Sequence, residues 1–169
     1  MLLHDVADRL NTVADHLPLP DQIQPDPALS EILDDEVRHL ASLLTYLVGE
    51  SAFRHRAAAR YPTRVTATHR RTTLALAQAA EPTSAALAAL GSAVHHLGLL
   101  ADLTHQAPGP TRTRAIASTY PGLVDRLGES RTCLARAAKQ LRAAADTRAT
   151  PAVTAPSPPT ASATASRTR

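Results

Sequence analysis

Apolar residues recur along much of this chain at alternating steps of three and four, the spacing of a helix with one buried face. Leu3, Val6, Leu10, Val13 and Leu17 form the first stripe, with Asp5, Asp8, Arg9, Asn11, Thr12 and Asp15 on the other sides. Pro18 ends that helix, because proline has no N–H to donate and its ring clashes with the preceding turn. Pro18, Pro20 and Pro25 then predict an extended connector over residues 18–26.

Asp26-Pro27 is a helix start: aspartate can cap, and proline is tolerated at the first helical position. Leu29, Leu33, Val37, Leu40, Leu44 and Leu47 carry the next stripe, and the helix is expected to run on to Arg60, before Tyr61-Pro62. Gly49 is its expected weak point, costing about 1 kcal/mol relative to alanine. A weaker helix is expected from Arg64 to Ala80, with Val65, Thr72, Leu76 and Ala79 inward and Leu74 beside them. Glu81-Pro82-Thr83 reads as a tight break. So short a link makes the helices on either side antiparallel neighbours.

The stretch Thr83–Gln106 is expected to be the central helix. Leu87, Leu90, Val94, Leu97, Ala101 and Thr104 form one face, and Leu99 and Leu103 a second. A narrow strip of Ser92, His95, Asp102 and Gln106 is polar. A helix apolar on most of its circumference packs against neighbours on several sides. Pro108-Gly109-Pro110 is the next break. In the last helix, Thr111 to Asp146, the stripe Ile116, Tyr120, Leu123, Leu127, Ser130, Leu134, Ala137, Leu141 and Ala144 keeps one phase throughout. Pro121-Gly122 lies within it, and the preserved phase predicts a kink or brief break there, not a long loop. Val48-Gly49-Glu50-Ser51 and Leu127-Gly128-Glu129-Ser130 echo one another, which raises a helix crossing at the two glycines.

The fold class that follows is all-α: an antiparallel bundle of four to five helices over residues 1–146. The remainder, 147–169, is Thr, Ala, Pro, Ser and Arg with a single Val, a composition that cannot offset the entropy of ordering, and is expected to be disordered.

Composition changes this picture in two ways. There is no Trp, and only one Phe, three Tyr and one Met, so alanine and leucine must fill the core and few large anchors remain for gripping a ligand. Charge is segregated. Residues 1–50 hold ten acids against Arg9 and Arg38, whereas residues 51–80 hold six arginines and no acid. Part of this has a structural cause: Glu31, Asp34, Asp35 and Glu36 lie early in one helix and Arg54, Arg56 and Arg60 late, as the helix dipole favours. The arginine bias, 17 against one lysine, resembles the codon bias of a GC-rich bacterial genome. Cys133 is the single cysteine, which excludes an internal disulfide. The first residues lack a signal-peptide pattern, and Thr83–Ala101 is interrupted by histidines and hydroxyls, so no membrane association and a cytoplasmic location are expected.

Four kinds of chemistry are candidates. Glu36 and His39 have the Glu-x-x-His spacing of carboxylate-bridged metal bundles, and Asp102 and His105 are a looser copy; His95, His96 and His105 are another possible zinc set. Each has a plainer reading as residues hydrogen-bonded at a bundle's edge. Arg54, Arg56, Arg60, Arg64, Arg70 and Arg71 form the densest basic stretch and could neutralise phosphates, although few aromatic residues are present to stack bases. There is no glycine-rich phosphate loop or nucleophile elbow. Cys133 reads as a buried inert thiol beside the core stripe, and His95/Asp102 as a polar contact more readily than an acid–base pair. No cofactor is implied. The remaining candidate is a non-enzymatic bundle acting through protein–protein contacts, with an unknown protein partner or a second copy of itself, and with nucleic acid as the alternative partner.

Overall fold

The computed structural model describes residues 2–23 and 27–149. Four long helices follow in order: α1 (Leu2–His16), α2 (Pro27–Arg60), α3 (Ala67–His105) and α4 (Pro110–Ala149). Short 3-10 turns, Pro20–Gln22 and Pro62–Arg64, lie in the first two connections. No strand occurs among the described residues. Packing runs around a ring, α1 against α2, α2 against α3, α3 against α4, and α4 against α1. Consecutive helices are antiparallel. His16 meets Glu36 across α1–α2, and the His69 ring meets the Arg54 carbonyl across α2–α3. On α4, Arg131 reaches the end of α1 and Arg142 pairs with Asp8 nearer its start.

Most core positions are those of the sequence stripes. All five apolar residues of the α1 stripe are buried, as are Leu29, Leu33, Leu40 and Leu47 on α2 and Leu123, Leu127, Leu134 and Leu141 on α4. The α1–α4 seam is closed by hydrogen bonds as well. The Arg131 guanidinium donates to the carbonyls of Ala14 and Leu17, which the end of α1 leaves without helical partners. The Tyr120 hydroxyl lies 3.2 Å from the carbonyls of both Pro20 and Ile23, tying the first connector to α4.

The expected break at Glu81-Pro82-Thr83 does not occur. The segments Arg64–Ala80 and Thr83–Gln106 are not an antiparallel pair; Ala67–His105 is one helix of 39 residues with Pro82 buried inside it. Packing overrides the local signal, because the buried series Thr72, Leu76, Ala79, Thr83, Ala86, Leu90, Ala93 and Leu97 keeps phase across the proline. The Thr83 hydroxyl donates to the Ala79 carbonyl at 2.7 Å, so it too is satisfied within the helix. The inward face is also rotated from the one expected. Leu90 and Leu97 are buried, but Val94, Ala101 and Thr104 are exposed, and Ala86, Ala89 and Ala93 take the inward places.

The α4 helix passes through Pro121-Gly122 without interruption. No helix crossing uses the echoed glycines: a Cβ at Gly49 or at Gly128 would meet nothing within 4 Å. Thr147–Ala149, expected to begin the tail, continue α4; residues 150–169 lie outside the described residues. By length and composition α3 could cross a membrane, but in this fold it packs between α2 and α4.

Candidate functional site

Two features stand out from the bundle's surface. The first is an open groove of about 870 Å³ on the outer side of the α2–α3 pair. It forms because both helices carry small or apolar residues off their core stripes. Val48, Ala52 and Ala58 come from α2, and Leu74 and Ala77 from α3, with Val65 in the connection between them. Ser51, His55, His69, Arg70 and Thr73 supply its polar positions. Val48 is 52% exposed and Leu74 is 57% exposed, which are high values for branched aliphatic side chains on long helices. Beyond the groove, the outer face of α3 stays nearly uncharged: Glu81 is the only Asp, Glu, Lys or Arg from Thr72 to Ala101. On α2 no such residue occurs from His39 to Gly49.

The second feature lies between α1 and α2. Glu36 is buried, and His16 Nδ1 stands 2.8 Å from its Oε1 while His39 Nδ1 stands 3.6 Å from its Oε2. Oε2 has no hydrogen-bond partner. A pocket of about 280 Å³ opens beside it, with Thr12, Val13, Ser42 and Leu43 in its wall. The two imidazoles approach opposite oxygens of the carboxylate, so they clasp it from two sides. His16 is the member that the sequence reading missed: it is 20 positions from Glu36 and on another helix, and only the α1–α2 packing joins them.

The other metal candidates are not gathered. Asp102 accepts from the Gln106 side chain at 3.2 Å on the exposed end of α3. His96 turns toward α4 and fills the space above Gly122, while His95 is exposed. No three His, Cys, Asp or Glu side chains converge in an arrangement that could hold a metal ion among the described residues.

The basic stretch is brought together in part. Arg54 is engaged by Glu50 at 2.6 Å and is half-buried. Arg56, Arg60, Arg64, Arg70 and Arg71 are all exposed where α2 ends and α3 begins. Arg60 and Arg64 flank the Tyr61 ring, with guanidinium carbons 5.7 and 5.6 Å from its centroid, within cation–π range. Beside Glu50, Tyr46 is held above the ordinary phenol range by burial first and then by the Glu50 charge, so it is a neutral hydrogen-bonding group at physiological pH.

Cys133 is buried and free, with Arg136 Nη2 at 3.7 Å from its sulfur. Arg131, two positions before Cys133, points instead to the end of α1. Comparison with protein families, with curated proteins and with solved structures gives no match for this chain.

Proposed function

We propose that this is a non-enzymatic helical-bundle protein that acts by protein–protein contact, through the outer face of α2 and α3. The observation that carries the reading is the groove itself: an open apolar surface flanked by helix faces that lack charge for many turns. Monomeric proteins rarely leave a large contiguous apolar patch facing water, and such patches mark interaction sites. With only one Phe and three Tyr in the chain, contact here relies on aliphatic residues and close helix approach, not on aromatic anchors. The cytoplasm is the proposed location, in keeping with a single thiol that forms no disulfide within the chain.

A photo-crosslinking residue in place of Ala77 tests the reading. Thr132, exposed on α4, serves as the control position. Irradiation in cells is expected to give protein adducts from position 77 and none from position 132. Absence of any protein adduct from position 77 overturns the reading.

A second reading is favoured by the five exposed arginines at one end of the bundle: attachment to nucleic acid, with phosphate contacts that weaken steeply with salt. Acids on the same helices, Glu31, Asp34 and Asp35 on α2 and Asp102 on α3, weigh against it, because they repel a long phosphate backbone.

A further inference from the structure

We propose that the partner on the α2–α3 face is a second copy of this chain, placed across a two-fold axis so that the two faces run antiparallel. This rests on the reading of that face as a contact surface, and it names the occupant.

The argument begins with charge. Because α2 and α3 are antiparallel, the start of α2 and the end of α3 share one end of the face. Exposed Glu31, Asp34 and Asp35 lie there, and Asp102 is on the last turns of α3. Arg38 is committed to Asp34 and Asp35, at 2.5 and 3.5 Å, so this end keeps a net negative charge. At the other end, Arg56, Arg60, Arg64 and Arg70 are exposed, and Glu50, the acid closest in sequence, is occupied by Arg54. The face is therefore negative at one end, positive at the other and nearly uncharged between them. A two-fold axis through its middle sets each end against the opposite end of the partner. The surface is its own complement, as an isologous interface requires. Parallel alignment would set arginine against arginine.

Shape agrees with charge. Leu74 and Leu99 are exposed on the same side of α3, 57% and 42%, and lie about seven turns apart. Between them the outward positions are small, Ala77, Ser84, Ala88, Gly91 and Ser92, apart from the exposed Glu81 and His95. Small residues let two helix backbones approach closely, with a leucine closing the seam at either end. The stretch 72–101, charged only at Glu81, is about 45 Å long at 1.5 Å per residue. With the adjoining side of α2, about 20 Å across in all, it offers roughly 900 Å², close to the 800 Å² that each partner buries in a specific complex of standard size.

A charge-swap experiment on the full chain tests this. One variant carries Glu31→Lys and Asp34→Lys, which turns the acidic end net positive. The other carries Arg56→Glu, Arg60→Glu and Arg70→Glu, which turns the basic end net negative. Each alone is expected to run at the 17.9 kDa mass of one chain, and an equimolar mixture at twice that mass. A variant that remains dimeric alone, or a mixture that stays monomeric while both components keep their helical circular dichroism, overturns the proposal. If a swapped variant loses helicity, Ala88→Arg decides instead. Position 88 is exposed, and like charges would meet near the axis, so the dimer is expected to halve in mass with helicity intact; a persisting dimer overturns the proposal. Crosslinking from position 77 separates this failure from failure of the broader reading. Adducts to other proteins with a monomeric wild type remove the second copy and leave contact function in place. No adducts and a monomer remove both.

Discussion

Gly122 and Gly128 are less than two turns apart on the same helix, yet their surroundings assign them different roles. A Cβ on Gly128 would meet nothing within 4 Å, whereas one on Gly122 would stand 2.8 Å from His96 Cε1 and 2.9 Å from its Nε2. Gly128→Ala is therefore expected to raise stability by about 0.5–1 kcal/mol, the usual gain in a helix interior. Gly122→Ala is expected to gain nothing or to destabilise, and His96→Ala in the same chain is expected to restore the gain. Denaturant midpoints of the single and double variants check this; equal gains at the two glycines would contradict it. Neither role could be read from Pro121-Gly122 alone, since the histidine that needs the space is on α3. The same limit applied at Glu36. The Glu36/His39 pair is legible as an i, i+3 spacing, but His16 is joined to it only by tertiary packing.

At the scale of the element, helix positions in α1, α2 and α4 were legible because leucines mark their stripes. The α3 helix was not, because alanines fill its inward face and alanine scarcely distinguishes a buried position from an exposed one. Pro82 then looked like punctuation. Persistence of phase, which limited the expected interruption at Pro121 to a kink or brief break where α4 in fact has no break, also carries α3 through Pro82, but its markers there are Thr72, Ala79, Thr83, Ala86 and Ala93. Both prolines deprive a helical carbonyl of its donor, those of Gln78 and Ala117, and crowd the preceding turn. Pro121 is exposed, so Pro121→Ala is expected to stabilise by about 1–3 kcal/mol. Pro82 is buried, and its ring contributes packing, so Pro82→Ala is expected to gain less. Thermal or denaturant unfolding of the two variants gives the order. A destabilised Pro121→Ala protein would show that α4 depends on a bend at that point.

For the whole molecule, the fold class and the antiparallel arrangement followed from periodicity and break signals. The surface proposed for contact did not, since it consists of residues that the stripes leave over: Val48, Leu74, Ala77 and Leu99. They acquire meaning only when α2 and α3 are side by side, which also converts charge segregation along the chain into opposite charge at the two ends of one face. The α2–α3 face is thus the centre of this account, and the molar mass of the full chain tests it most directly. Light scattering on the eluting wild-type protein, at low and high salt and with absorbance at 260 and 280 nm, is the measurement. With no Trp and three Tyr, the protein absorbs little at 280 nm, and bound nucleic acid would dominate the trace. The account predicts a mass twice 17.9 kDa at low salt, a shift toward one chain at high salt, and a protein-like absorbance ratio. A monomer across the accessible concentrations, or a 260 nm-rich complex that high salt strips, would contradict it.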